Sequence, residues 1–230
     1  MDDLSRLRHW PPRWTDVTDP GVLAAIAEVP RHEFVPSQYR DQAYEDIPLP
    51  IGYGQTISQP YIVAVMTQAL RLTSQSRVLD IGTGSGYQAA ILACLASQVW
   101  SVEAVSELAS AAAERLERLA YRVEVQVGDG RRGWPEHAPY DGILVAAASR
   151  DVPPALIAQL AEGGRLVIPL GASTWDQRLW LLEKRGETLN KTFLSDVRFV
   201  PLVSTEPPTD LEDSVFAGIR RKLQQLFEQN

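Results

Sequence analysis

Asp80, Glu103 and Asp129 are the residues whose type and placement carry the most chemistry in this 230-residue chain. Each lies at or near the end of a short β-rich run. Asp80 stands just before Gly82-Thr83-Gly84-Ser85-Gly86, and Asp129 stands between Gly128 and Gly130. A dinucleotide site holds a pyrophosphate at a helix N-terminus and spaces its glycines G-x-G-x-x-G. Here the spacing is G-x-G-x-G, and the Asp80 carboxylate would repel a pyrophosphate held at that loop. The same charge suits a cofactor carrying an ammonium and a sulfonium, which describes S-adenosylmethionine (AdoMet). A glycine-rich turn that merely joins strand to helix is the alternative reading of this segment alone.

Glu103 lies about twenty residues beyond the loop, where an acidic side chain can accept both ribose hydroxyls. No arginine follows it immediately, which argues against a 2′-phosphate. Asp129 could accept a hydrogen bond from an adenine amino group. Each carboxylate could instead be a helix cap or a solvated turn. Three in register at strand ends favour a nucleoside cofactor.

The elements that must position these residues follow from periodicity. From residue 77 onward, short β-rich runs alternate with helical stretches, as in a Rossmann-like, doubly wound α/β fold with a mostly parallel sheet. Strands are expected at 77–81, 99–102, 123–127, 141–147 and 166–170, and helices at 86–96 and 106–120 with Ser106 as N-cap. A further helix opens at Pro153 or Pro154 and closes at Gly163-Gly164. Residues 177–183 and 193–200 read as an antiparallel pair at the sheet edge.

Ahead of this core, residues 19–29 form a short helix capped by Asp19, and Pro60 opens another to Leu70. Between them, residues 44–60 hold three prolines and two glycines and cannot form a regular helix. Ile47, Leu49, Ile51 and Ile57 make the segment too apolar for a solvated linker, so an ordered loop folded over the sheet is expected. After a linker, residues 211–227 form an amphipathic helix. Packing of that helix on its own domain gives a monomer, and a dimer contact through it is the alternative. The expected organisation is one domain, with a cap and substrate loop over 1–76, a cofactor core over 77–203 and a linker with C-terminal helix over 204–230.

Composition bounds the function. Apolar residues make up 45% and charged residues 22%, ordinary for a globular protein. A net charge of −7 leaves no electrostatic footprint for nucleic acid or an anionic membrane. No apolar run is long enough to span a bilayer, and the start lacks the basic-then-apolar order of a secretory signal. The single cysteine, Cys94, excludes an intrachain disulfide and reads as a buried small hydrophobe in the helix after the loop. These features point to the cytoplasm. His9, His32 and His137 are scattered, and none is assigned to a metal.

With these residues in view, the chain resembles the protein-L-isoaspartate O-methyltransferases from about Asp19 to Val203. The most specific stretch is Ala43-Tyr44-Glu45-Asp46 through Leu49-Pro50-Ile51-Gly52-Tyr53-Gly54-Gln55-Thr56-Ile57-Ser58-Gln59-Pro60. Pro30-Arg31-His32-Glu33-Phe34-Val35-Pro36 and Arg198-Phe199-Val200-Pro201-Leu202-Val203 support it. The resemblance implies methyl transfer from AdoMet to the free α-carboxylate of L-isoaspartyl residues in damaged proteins and peptides, leaving S-adenosyl-L-homocysteine. It implies Ser58 as the active-site hydroxyl. The implied cofactor residues are Gln55, Thr56, Ile57, Asp80, Gly82, Thr83, Gly84, Gly86, Glu103, Ala104, Gly128, Asp129 and Gly130. Ile57 and residues 200–202 are candidate walls for an extended peptide. Two other readings stay open: a carboxyl methyltransferase with one dedicated peptide substrate, and a non-catalytic AdoMet-binding module. The segment His9-Trp10-Pro11-Pro12-Arg13-Trp14 departs from the regular amphipathic helix with which such proteins usually begin.

Overall fold

A computed structural model describes residues 10–11, 14–173 and 175–203. The helix expected over 211–227, with its candidate dimer contact, lies outside the described residues.

Seven strands form the central sheet: β3 (Arg77–Ile81), β4 (Gln98–Glu103), β5 (Val123–Val127), β6 (Tyr140–Val145), β7 (Leu160–Leu170), β8 (Gln177–Arg185) and β9 (Thr188–Val197). Their spatial order is β5-β4-β3-β6-β7-β8-β9. The pairs β5·β4, β4·β3, β3·β6 and β6·β7 are parallel, whereas β8 and β9 add antiparallel. The chain therefore runs outward from β3 to β5 and then restarts beside β3 with β6. That reversal opens a crevice at the carboxyl ends of β3 and β6, the usual ligand position in open α/β sheets. The central parallel strands β3 and β6 are mostly buried because helices cover both faces; in β3 every side chain from Val78 to Ile81 is buried.

Five helices surround the sheet: α1 (Pro20–Glu28), α2 (Pro60–Leu70), α3 (Tyr87–Ala93), α4 (Ser106–Arg118) and α5 (Pro154–Gln159). Asp19 caps α1 as expected, its Oδ1 accepting from the N–H groups of Gly21 at 2.8 Å and Val22 at 3.1 Å. Pro60 occupies the first turn of α2, where its missing N–H leaves no bond unmade.

Local details depart from expectation at five places. The strand expected over 193–200 is Thr188–Val197, because a tight turn at Gly186, with φ 58, starts its pairing with β8 at Arg185 and Thr188. Val105, not Ser106, is the N-cap of α4, and the Ser106 hydroxyl donates to Glu107 at 2.8 Å. Gly163-Gly164 does not close a helix. Tyr140 pairs with Leu160 but Gly142 pairs with Arg165, so the glycines sit in a bulge of β7, with Gly163 at φ 74. Helix α3 stops at Ala93, and Cys94 is exposed at its C-cap instead of buried. Lastly, the segment 44–60 is not merely a loop. Leu49–Gly52 (β1) and Gln55–Ile57 (β2) pair antiparallel around a turn in which Gly52, Tyr53 and Gly54 all have positive φ. Leu49 and Ile57 are buried against α1, α2 and α3. Each such burial contributes about 1.5–3 kcal/mol, which holds this short ribbon in place.

Candidate active site

The glycine turn between β3 and α3 forms the floor of the site. Gly82, Gly84 and Gly86 have φ of 90°, 52° and 87°, a run of left-handed conformations that side-chain-bearing residues rarely adopt. The ribbon lies on this turn, since a Cβ built on Gly84 would come within 3.3 Å of Ile51 Cδ1. Gly130 is restricted for a different reason, because a Cβ there would come within 2.4 Å of Ile81 Cγ2.

Asp80 lies beneath the turn, fully buried and outside the cavity wall. Ser101 Oγ donates to its Oδ2 at 2.7 Å, and the Thr83 hydroxyl stands 2.6 Å from Ser101 Oγ. Oδ1 has no hydrogen-bond partner among the described residues. Burial pushes its pKa up to about 7, against the opposing pull of the Ser101 hydrogen bond, and the Glu103 charge raises it further. Asp80 is thus poised to ionise when positive charge arrives above the turn.

Glu103 ends β4 and does line the cavity. Its Oε2 accepts from the Gly84 N–H and its Oε1 from the Val105 N–H, both at 2.9 Å. Each carboxylate oxygen retains a lone pair for a ligand hydroxyl. Asp129 takes a local role: its Oδ1 accepts from the Arg131 N–H at 2.8 Å and caps the short turn that follows. Of the expected cofactor residues, Gln55, Thr56, Ile57, Gly82, Thr83, Gly84, Glu103, Ala104 and Gly130 line one cleft with Ser58. Asp80, Gly86, Gly128 and Asp129 stand behind its surface.

That cleft encloses about 720 Å³, part of it open to solvent. Among the described residues its lining contains one carboxylate, Glu103, and no lysine, arginine or histidine. A phosphate would find no cation here, whereas a positively charged nucleoside derivative meets a uniformly acidic or neutral wall. His32 contacts Tyr44 and His137 stacks on Trp100, so neither faces the cleft.

A second cavity of about 1240 Å³, also partly open, adjoins the first. Thr56, Ser58, Ala146 and Val200 line both and form the partition. Gln59 is the N-cap of α2 without a cap bond of its own, and Asp46 Oδ1 accepts from the first-turn Tyr61 N–H at 2.9 Å, so the Ser58 hydroxyl is not spent on the helix end. The outer cavity is walled by Pro48 and Ile62 on one side and by Trp175, Arg178, Asp196 and Arg198 on the other. Val200 borders both cavities, whereas Ile57, Pro201 and Leu202 face only the inner one. The segment 199–202 is held by its backbone: Ala148 N–H donates to Val200 O at 2.8 Å, and Leu202 N–H to Ala148 O at 2.7 Å.

Sequence reasoning missed three contributors. Ala146 and Ala147 directly follow the apolar strand β6, and nothing in their type signals a site. Tyr87 and Gln88 line the inner cleft from the first turn of α3; their place directly after the last loop glycine is the signal that could have found them. Arg31 was noticed only as part of a motif. It is fully buried and donates from Nη2 to the Ser58 carbonyl at 2.8 Å.

The sequence profile of the protein-L-isoaspartate(D-aspartate) O-methyltransferase family matches residues 13–207. The protein-L-isoaspartate O-methyltransferase of Opitutus terrae is 57% identical over 193 residues, covering 84% of this chain and 83% of that protein. That of Synechococcus sp. (strain JA-2-3B'a(2-13)) is 58% identical over 194 residues, covering 81% and 80%. Among solved structures, a protein-L-isoaspartate O-methyltransferase aligns with a TM-score of 0.72 at 32% identity, over 81% of this chain and 62% of that one. A Plasmodium falciparum protein described as the same enzyme, solved with S-adenosyl-L-homocysteine, aligns with a TM-score of 0.74 at 26% identity, over 87% and 98%.

Proposed function

The chain belongs to the protein-L-isoaspartate(D-aspartate) O-methyltransferase family, and from that premise we propose how its two cavities perform the family's reaction. It transfers a methyl group from AdoMet to the free α-carboxylate of L-isoaspartyl residues in damaged proteins and peptides. The observation that carries this reading is the partition at Thr56, Ser58, Ala146 and Val200, where a cation-accepting cleft meets a larger open cavity. The inner cleft takes the methyl donor, and the outer cavity takes the peptide around the isoaspartyl residue.

AdoMet, when bound, supplies an electrophilic methyl carbon on a positively charged sulfur, which leaves as the neutral thioether of S-adenosyl-L-homocysteine. The protein's task is placement. Glu103 accepts the ribose hydroxyls, and Asp80 supplies negative charge beneath the turn formed by Gly82, Thr83, Gly84 and Gly86. Ala104 and the segment Gly128-Asp129-Gly130 border the adenine side, with Asp129 holding its turn in shape. Gln55, Thr56 and Ile57 close the donor from above. The substrate carboxylate is already ionised at neutral pH, so no general base is required. The Ser58 hydroxyl donates one hydrogen bond to it and fixes its line of approach, and such alignment can lower a barrier by several kcal/mol, on the order of 7 at best. That no described lysine, arginine or histidine lines the inner cleft fits this chemistry. Opposite charges neutralise each other as the transition state forms, so a cation against the carboxylate would favour the ground state. The following backbone amide nitrogen then attacks the ester carbonyl, losing its proton as methanol leaves, and hydrolysis of the resulting succinimide returns some normal aspartate.

A monomer is the working unit of this reading, since the reaction it describes asks for one donor cleft and one peptide cavity, and described residues of one chain line both. One hydrophobic cluster mixes cap residues such as Val22 and Leu49 with core residues such as Ala90 and Leu116, which supports a single domain. No helix among the described residues is long and apolar enough to cross a membrane. A chain with one cysteine, and hence no intrachain disulfide, suits the reducing cytoplasm.

The test is transfer of radiolabelled methyl from AdoMet to an isoaspartyl peptide and to its aspartyl twin. Labelling of the first alone supports repair. Labelling of the aspartyl twin alone would make the protein a dedicated modifier, and labelling of neither would leave a binding module.

A further inference from the structure

Arg31 is the largest fully buried side chain described, at 0% exposure. A charged group in an apolar interior costs several kcal/mol unless its surroundings compensate, on the order of a lost ion pair or more. Here the compensation is incomplete. Nη2 donates to the Ser58 carbonyl at 2.8 Å and to the Ile47 carbonyl at 3.4 Å. Nε and Nη1 have no hydrogen-bond partner among the described residues, and neither does the neighbouring Tyr87 hydroxyl. The guanidinium carbon lies 4.9 Å from the centroid of the Tyr87 ring. Asp46 is a nearby countercharge, and its oxygens already accept from the Tyr61 N–H at 2.9 Å and from Trp14 Nε1 at 3.1 Å. A methionine of similar length would fill the same volume without the desolvation cost, so packing alone does not explain a guanidinium at this position.

The three contacts do. Ile47 precedes the β1–β2 ribbon, Ser58 follows it, and Tyr87 opens α3 directly after the last glycine of the donor-binding turn. One planar cation spans the two feet of the ribbon and rests on the element that carries the turn. Arg31 lines neither cavity, so it touches neither donor nor carboxylate. We propose that Arg31 is a positioning residue that clamps both ends of the β1–β2 ribbon onto Tyr87 and thereby sets the Ser58 hydroxyl relative to the donor cleft. This rests on the reading of Ser58 given above. Placing the cation behind the serine, and not beside the carboxylate, gives rigidity without stabilising the reactant charge.

The test uses the full chain with Arg31→Met, which keeps volume, and Arg31→Lys, which keeps charge and one donor, each in the wild-type and Ser58→Ala backgrounds. Three quantities are measured: kcat with an isoaspartyl peptide, the Kd of S-adenosyl-L-homocysteine by calorimetry, and amide hydrogen exchange over residues 47–58. If Arg31 acts through Ser58, Arg31→Met lowers kcat about ten-fold or more while Kd stays within about three-fold, and Arg31→Lys recovers part of the loss. In the Ser58→Ala background the same change moves kcat less than about two-fold, because the group being positioned is gone. Exchange at residues 55–58 rises in Arg31→Met. Equal losses in both backgrounds, or a Kd that weakens in step with kcat, overturn the proposal in favour of a general structural role. Should Arg31→Met fail to fold, the same comparison with Arg31→Lys decides. A wild-type chain inactive on the peptide would overturn the functional reading, while unchanged exchange at 55–58 would overturn the clamp independently.

Discussion

The Gly84 N–H donates to Oε2 of Glu103 at 2.9 Å, so the carboxylate expected to hold a ribose also holds the glycine turn. Its second oxygen accepts from Val105 N–H at the entry to α4. One side chain therefore links the end of β4, the donor-binding turn and the start of α4. Glu103→Gln turns one acceptor into a donor, leaving one of two backbone N–H groups facing an N–H. An unpaired buried donor costs about 1–3 kcal/mol, so the Kd of S-adenosyl-L-homocysteine should weaken about ten- to hundred-fold. Calorimetry decides; an affinity within two-fold of wild type would remove Glu103 from the ligand set.

Under the proposed function, Ser58 serves catalysis and not donor binding. Its hydroxyl borders the partition between the cavities, and no side-chain cap ties it to α2. Ser58→Ala removes one hydrogen bond to a charged group, worth about 1.5–3 kcal/mol, so kcat should fall roughly ten- to hundred-fold. AdoMet affinity should stay within two-fold. A matching loss of AdoMet affinity would instead place Ser58 in the donor site.

The raised pKa of Asp80 predicts that stability and, under the proposed function, donor binding depend on pH. Burial raises its pKa from 3.8 to about 7, so the folded protein holds a proton that the unfolded chain has released. Its stabilising contribution is complete below the unfolded value and is lost as pH rises through about 7. The ligand-free protein should therefore melt at a lower temperature at roughly pH 8 than at pH 6, and Asp80→Asn should flatten that difference. A donor carrying positive charge favours the ionised form, so AdoMet binding near neutrality should release protons. Calorimetry in buffers of different ionisation enthalpy reads that release; none at neutral pH would mean that Asp80 is already charged.

The parts of the fold legible beforehand are those governed by strong local rules. Pro60 at the start of α2 and Asp19 at the cap of α1 are placed by covalent geometry and a two-residue hydrogen bond. The apolar runs of β3 and β6 and the glycine turn follow from burial on both faces and from the need for positive φ. Where expectation failed, a distant partner had outbid a local preference. Glu103 takes the Val105 N–H, and α4 begins one residue past that cap, so Ser106 is helical and its hydroxyl turns to Glu107. The glycines at 163 and 164 could equally end a helix or bulge a strand, and pairing with β6 chose the strand.

Residue types and spacing alone determined the glycine turn after β3, the placing of Glu103 at the end of β4 and the mostly parallel sheet beneath them, because these arise within stretches of a few consecutive residues. Ser58 as the candidate hydroxyl came only from the resemblance of its proline-punctuated segment to the family's pattern. Only the tertiary structure decided that this segment pairs with itself as a ribbon, that Asp80 and Asp129 stand behind the cavity surface, and that two cavities meet at Ser58. It alone brought Arg31 under the ribbon, 27 positions before the serine whose carbonyl it holds. Side-chain direction and contact across such separations come from packing of the whole core, which no local pattern encodes.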